Sequence, residues 1–194
     1  MPWEKSFDEK EVLTAAMQLF WAQGYEHTSM ADLVKATKAS RHGLYDVFGD
    51  KQELFVATLD CYRREVVEKK LGPLLSDNAS LGSIKAYFAR FSKFAESENP
   101  QFGCLICHTA VGIASREPVI GKYIRNFFAW MTEVFRRALQ NAKRLGEISA
   151  EASPTQLARF LTGLVQGAAV YFRAGVDTKI ITSFVSTGLT ALAK

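Results

Sequence analysis

Apolar positions recur at helical spacing along nearly the whole chain, and no stretch alternates apolar and polar residues as a half-buried strand would. A first helix is predicted to open at Asp8, with Glu11 three residues on. It carries Val12, Ala16, Leu19 and Phe20 on its inner stripe and ends at Gly24. Ser29 and Asp32 have the spacing of a capping box, and Met30, Leu33 and Val34 give the helix they start one apolar face. The pattern lapses over 35–39. Ser40 then caps a short helix with Leu44, Val47 and Phe48 inside, which Gly49 ends. Asp50, with Glu53 three residues on, starts a long helix running to Leu71, where Gly72-Pro73 is expected to stop it and open a loop over 72–79. Further helices are predicted over about 81–97, broken by Asn99-Pro100, over 103–115, from Pro118 to Leu145, from Ser153-Pro154 to near Gly175, and from around Thr178 to the C-terminus. The fold class is all-α, with about nine helices.

Two of these short helices, joined by a tight turn, carry the chemistry. The second begins with polar and basic residues and no acid: Ser40, Arg41, His42 and Gly43. Leu44, Val47 and Phe48 claim its inner side, so Arg41, His42, Gly43 and Asp46 face outward. An exposed helix with a cationic N-terminus and short side chains suits the major groove of DNA. Arg41 can pair with guanine O6 and N7, and Gly43, with no side chain, lets the backbone come close. A hydroxyl or ammonium at a helix start can meet a phosphate.

The ordered pattern F-x3-GY-x2-TS followed by S-x3-LY-x2-F-x2-K-x2-L is formed by Phe20, Gly24-Tyr25, Thr28-Ser29, Ser40, Leu44-Tyr45, Phe48, Lys51 and Leu54, with Leu33 and Ala36 between. It resembles the DNA-binding domain of the TetR/AcrR family of bacterial transcriptional regulators over residues 8–70. The resemblance implies phosphate contacts by Thr28, Tyr45 and Lys51 and base-edge contacts by Ser40, Arg41, His42 and Gly43, with Ser29 and Lys38 on the same surface. It departs from the family in two places: the turn reads Thr37-Lys38 rather than Gly-Val, and the Gly usual two residues after the serine is His42, displaced to Gly43. These departures bear on base preference.

The implied organisation is a helix-turn-helix DNA-binding domain over 1–50, a linking helix over 51–71, and an effector-binding and dimerisation domain over 72–194. Net charge is +4, and residues 1–70 hold ten basic and twelve acidic residues. A general basic footprint is thus absent from the reading head. What counts is the local run over 33–45, where Lys35, Lys38 and Arg41 meet no acid. Binding is expected to rest on a few placed contacts and two-fold symmetry rather than bulk charge. No apolar run approaches the ~18–20 residues of a membrane span, and the first residues lack an apolar signal core, so the cytoplasm is the expected location. Three cysteines argue against a disulfide framework.

In the last two helices, Leu157, Phe160, Leu161, Leu164, Val165 and Ala168 form a broad stripe, with Ile181, Phe184, Val185 and Leu189 after them. Gly163, Gly167 and Ala168 allow close helix approach. Two such helices from each of two chains could form a four-helix homodimer interface, as the resemblance also implies. A two-fold dimer would favour a palindromic operator with half-sites roughly 34–36 Å apart.

The resemblance further implies a cavity among the middle helices for a small apolar or aromatic effector, and aromatic and soft residues gather there: Phe88, Phe91, Phe94, Phe127, Phe128, Trp130, Met131, Phe135, Tyr171 and Phe172. Cys104, Cys107 and His108 fall at i, i+3, i+4 and would share one helical face. They are effector-site candidates together with Phe88, Phe91, Phe127, Trp130, Met131 and Tyr171. Three readings stay open for the Cys-His group: buried structural thiols, a redox or electrophile sensor, or a soft-metal site. No cofactor is expected. An enzyme is disfavoured, since adjacent Cys107 and His108 point about 100° apart and no Gly-rich phosphate loop, HExxH or GxSxG motif is present. The expected function is a ligand-responsive repressor, released from double-stranded DNA by its effector. A small-molecule carrier is the remote alternative.

Overall fold

The computed structural model describes residues 7–95 and 103–192, with side chains for all of these except 91–95. Among the described residues, helices joined by turns and short loops make up the fold, without a strand. Helices α1 (Glu9–Gln23), α2 (Met30–Thr37) and α3 (Arg41–Phe48) form a small head. Helix α4 (Lys51–Tyr62) runs through a π-helical segment (Arg63–Glu68) into α5 (Lys69–Leu75) and leads from head to body. The body comprises α6 (Leu81–Ala95), α7 (Leu105–Gly112), α8 (Pro118–Arg144), α9 (Pro154–Arg173) and α10 (Thr178–Leu189), closed by a 3-10 turn over Thr190–Leu192. The side chains of Phe91 and Phe94, and the break expected at Asn99-Pro100, lie outside the described residues.

The head owes its shape to local hydrogen bonds. Ser29 Oγ accepts from the Asp32 N–H at 3.1 Å, and the Asp32 carboxylate accepts from the Ser29 N–H at 2.9 Å. Asp50 and Glu53 form the same reciprocal box at the start of α4. Such boxes satisfy backbone donors that a helix start leaves open. The turn between α2 and α3 has no glycine. Lys38 takes the left-handed conformation instead, at φ 58°. Thr37 supports it by donating its hydroxyl to the Leu33 carbonyl at 2.7 Å and accepting from the Ala39 N–H at 3.3 Å. Apolar packing completes the head, with Phe20 meeting Phe55 edge-on at 4.7 Å between ring centres.

Two expected boundaries are corrected. Gly72-Pro73 does not stop the long helix, which runs on to Leu75. Pro73 removes one backbone donor, but Leu71 and Leu74 on either side are buried, and their burial offsets that loss. The segment expected over 103–115 is helical only over Leu105–Gly112, and a turn over 113–116 follows.

In the body, α8 and α9 pack along their length, joined by a 3.0 Å hydrogen bond between the Thr132 and Thr162 hydroxyls. Helix α10 lies against α9 because two glycines admit it. A Cβ on Gly188 would stand 2.7 Å from Leu164, and one on Gly167 would stand 3.1 Å from the Phe184 ring. Body helices also take caps from far along the chain. The Leu81 N–H at the start of α6 donates to Glu147, which follows α8, at 3.0 Å.

Candidate nucleic-acid interface and effector cavity

Ser40 caps α3 by accepting from the Gly43 N–H at 3.0 Å, and this places the helix start outward. Leu44 is buried and anchors the helix, while Ser40, Arg41, His42 and Tyr45 are exposed. Tyr45 remains 39% exposed with the Arg41 guanidinium 5.8 Å from its ring centre. His42 stands 3.2 Å from Asp46, one turn on. Ser29 and Lys38 are also exposed. Lys51 is half-buried, its ammonium 4.3 Å from the centre of the Tyr25 ring, and burial lowers its pKa.

Two expectations on this face are corrected. Thr28 is fully buried and donates its hydroxyl to the Gly24 carbonyl at 2.7 Å, so it caps the end of α1 and offers nothing to a phosphate. Gly43 has no open space above it: a Cβ there would stand 2.8 Å from the Phe7 ring. The close approach that requires glycine is made by Phe7, just ahead of α1, and the ring steadies the first turn of α3.

The Cys-His group is dismantled by the same kind of detail. Cys104 is the N-cap of α7, with extended φ and ψ of −111° and 121°, so helical spacing does not hold between it and the residues after it. Cys107 points to α9, its thiol 3.8 Å from the Gln166 carbonyl, and burial pushes its pKa up to about 11. His108 turns to Arg173, 3.2 Å away, and burial with that neighbouring cation lowers its pKa. Among the described residues no group of three His, Cys, Asp or Glu is placed to hold a metal. The expected single helical face for Cys104, Cys107 and His108, and with it a soft-metal site, is therefore corrected.

The body holds a cavity of about 440 Å³. Phe127 and Met131 from α8 line it, with Val165, Gln166, Ala169 and Phe172 from α9. Opposite stand Tyr62, Val67 and Lys70 from the α4–α5 rod, Tyr87 and Arg90 from α6, and Gly103-Cys104. Of the expected effector residues, Phe127, Met131 and Cys104 are present. Phe88 is buried behind the wall, stacked on Phe135 at 6.0 Å. Trp130 faces the Arg63 guanidinium at 5.6 Å instead, and Tyr171 packs on Phe184 at 5.2 Å on the other side of α9. Cys107 and His108 lie off the lining. Tyr62 and Tyr87 line the cavity from the rod and from α6, and in the sequence nothing separates them from the other apolar positions of those helices. Lys70 and Arg90 are exposed residues that also border the cavity.

The expected dimer stripe divides as well. Leu161, Ala168 and Ile181 are wholly buried within the chain, Val185 and Leu164 nearly so, and Val165 faces the cavity. An open apolar groove of about 930 Å³ runs between α9 and α10 instead, lined by Phe160, Gly163, Tyr171, Ile180 and Phe184. Phe160 and Ile180 are 44% and 56% exposed there. Leu157 and Leu189 are half-buried.

Head and body meet through the turn after α7. Arg116 donates to Glu26 at 3.1 Å and to the Gly112 carbonyl at 2.7 Å, and Gln52 donates to Glu117 at 2.8 Å. A Cβ on Gly121 would stand 2.3 Å from the Ala114 carbonyl, so this turn is pressed directly against α8.

Residues 80–187 match the family model described as Tetracyclin repressor-like, C-terminal domain, and residues 12–58 match that of bacterial regulatory proteins, tetR family. The HTH-type transcriptional repressor ComR of Escherichia coli strain K12 is 32% identical over 186 residues, which span 95% of this chain and 89% of that protein. The HTH-type transcriptional regulator YezE of Bacillus subtilis strain 168 is 29% identical and covers 81% of each chain. Among solved structures, a cysteine mutant of the regulator CifR complexed with 26-bp double-strand operator DNA superposes with a TM-score of 0.85 at 22% identity, over 96% of this chain and 97% of that one. No described helix is long and apolar enough to cross a membrane.

Proposed function

The chain belongs to the TetR family of bacterial regulatory proteins, DNA-binding transcriptional regulators and not enzymes, and from that membership we propose that it is a repressor that binds a palindromic operator as a homodimer in the cytoplasm and is released by a small effector. The observation that carries this reading is the first turn of α3. Leu44 fixes the helix from beneath, and Ser40, Arg41, His42 and Tyr45 stand in solvent with no acid among them. A rigidly held, exposed and cationic helix start is what major-groove reading needs. Arg41 would take a guanine edge, while Tyr45, Ser29, Lys38 and Lys51 would meet phosphates. The DNA-binding unit is taken as 1–50, the link as 51–71 and the effector and dimer unit as 72–194. The groove between α9 and α10 is the proposed two-fold face. ComR is itself named a repressor, and CifR is seen on operator DNA, which supports the sign and the partner.

The effector would act by shifting a population. The rod formed by α4, the π segment and α5 carries cavity residues Tyr62, Val67 and Lys70 at one end and joins the head at the other. Helix α7 begins at the cavity with Cys104 and ends at the turn that grips Glu26 and Gln52. A change in cavity shape would thus reach the spacing of the two reading helices by both routes. The test is a binding titration against DNA fragments flanking the protein's own gene. A two-fold site should bind, and Arg41→Ala should weaken it by about tenfold or more, as expected for one bidentate base contact, with an unchanged melting temperature. Equal binding by Arg41→Ala would refute the assignment of α3.

A further inference from the structure

The rod from α4 to α5 carries one residue too many for an α-helix. Its inward residues are Phe55, Leu59, Tyr62, Val67, Leu71 and Leu74, all buried. Their steps are four, three, five, four and three, and the step of five breaks helical spacing. At about 100° per residue, Val67 would point roughly 140° away from Tyr62 in a continuous α-helix. The π-helical segment Arg63–Glu68 falls in this gap, and its i→i+5 closure brings Val67 back over Tyr62. The two residues then line the cavity together. The rod's wall of the cavity thus depends on where the π turn sits.

Side chains hold the turn in place. Arg63 donates to Asp60, ahead of the turn, at 3.1 Å, and to Glu68 at its end. The second pair spans five residues, the spacing that a π turn aligns and an α-helix does not. The same guanidinium faces the Trp130 ring of α8 at 5.6 Å. Asp60, Arg63 and Glu68 are each about one-third exposed, so water screens these pairs and they can be exchanged. π turns are rare, occur mostly as single turns within α-helices and are frequent at functional sites. An extra residue can occupy neighbouring positions along a helix, and each residue it passes is re-aimed by about 100°. Such turns also bend a helix, so a shift changes the angle between its ends.

We propose that the π turn is the part of the rod that moves when the cavity is filled: a molecule pressing between Tyr62 and Val67 shifts the extra residue along the helix. This rests on the effector reading above and deepens it by naming the element that responds. Beyond the turn, α5 is anchored in the body by buried Leu71 and Leu74, and before it α4 packs on α1 of the head. A shift therefore turns the head against the body.

The test is the full chain with Glu65 deleted, set against the wild-type chain. Glu65 lies outside the buried stripe and pairs only at the surface, with Lys69. Its loss shortens the step of five to four, so the rod can run as one α-helix with Val67, Leu71 and Leu74 still inward. A deletion inside an ordinary helix re-aims everything after it and lowers the melting temperature. Here the melting temperature should equal or exceed that of the wild-type chain. Occupancy is imposed by Met131→Trp, which adds bulk from the opposite wall, or by Val165→Phe if the first variant misfolds by circular dichroism. In the undeleted chain, filling the cavity should alter amide hydrogen exchange over 62–69 and change affinity for the two-fold operator fragment by at least about fivefold. With Glu65 deleted, both responses should vanish while the fragment is still bound. A lower melting temperature on deletion, unchanged exchange over 62–69 on filling, or a response that survives the deletion would overturn the proposal. Operator binding with no response over 62–69 would sink the moving turn and leave the regulator standing. A response over 62–69 that the deletion abolishes, with operator affinity unchanged, would sink the effector reading and leave the moving turn standing.

Discussion

Head and body are built of the same element and are held by different means. In the head, α2 and α3 are eight residues each, too short to persist alone. Their starts are capped by residues three apart: Ser29 and Asp32 reciprocally for α2, and Ser40 accepting from the Gly43 N–H for α3, with Asp50 and Glu53 reciprocal again at the start of α4. In the body, α8 is 27 residues and α9 is 20, and they are steadied by each other. Even the start of α6 is closed by Glu147, 66 residues away from Leu81. A head of local bonds can present polar side chains to solvent on a fixed frame. A body of distant contacts can enclose a space whose walls come from five elements. Presentation and enclosure are the two things a ligand-governed DNA reader would need, and the chain separates them.

The strongest way to break this contrast is to empty the body's core. Phe135 is fully buried on α8, edge-on to Tyr87 at 5.8 Å and stacked on Phe88 at 6.0 Å. It thus supports a cavity wall from behind. Phe135→Ala should cost about 3–5 kcal/mol, read from urea denaturation monitored by circular dichroism. It should also weaken whatever the cavity binds, because Tyr87 loses its backing. A cost near 1 kcal/mol would mean that the body relaxes around a void, and the distinction between a locally held head and a mutually held body would fall.

The same contrast explains what the sequence could disclose. Caps act over three residues, so Ser29, Ser40 and Asp50 were legible as helix starts. The exposed run Ser40-Arg41-His42 followed from the inner positions Leu44, Val47 and Phe48. Where a residue's surroundings come from elsewhere, the pattern misled. Thr28 looked like a phosphate ligand, but its hydroxyl is consumed by Gly24 in its own turn. Gly43 looked like a gap for DNA, and Phe7 fills it. Cys104, Cys107 and His108 obey helical spacing only if the helix includes all three, and it begins after the first. The broad apolar stripe on α9 could not reveal that Val165 would face a cavity while Phe160 and Tyr171 line an outer groove. An apolar helix with three neighbours has no single inside. Lys70 and Arg90 border the cavity from exposed positions, and a charge on a helix gives no sign in the sequence of which cavity it adjoins.

A smaller effect sharpens the contrast from the head's side. Ser29→Ala removes one half of a capping box and leaves the Asp32 N–H to water, at a cost of about 1 kcal/mol. In a chain of this size that is a fall of roughly 2–4 °C in melting temperature. Glu147→Ala also removes a cap, but it releases the Leu81 N–H and a contact between segments 66 residues apart. It should therefore lower the melting temperature by more than Ser29→Ala, as scanning calorimetry would show. If the two are equal, distant caps work no differently from local ones.

The smallest effect tests the seam between the two regions. His108 lies where α7 passes the end of α1: a Cβ on Gly24 would be 3.9 Å from its ring, and Arg173 of α9 is 3.2 Å from its Nε2. Burial first, and the Arg173 cation second, hold its pKa below the usual 6.5. Glu26 and His27 line the same small cavity as His108, and Glu26 is engaged by Arg116. Above the usual value His108 is neutral both folded and unfolded, and its contribution is intact. As pH falls below about 6.5 the unfolded chain takes the proton first, so stability declines until the folded-state value is passed. Other groups titrate over the same range, so the informative quantity is a difference. The drop in melting temperature between about pH 7.5 and about pH 5.5 should be smaller for His108→Gln than for the wild-type chain. His108 is only partly buried, so solvent screens the effect and the difference should be small. A larger drop in the variant would mean that protonated His108 finds an acidic partner at the seam, and Glu26 would then have to leave Arg116 to provide it.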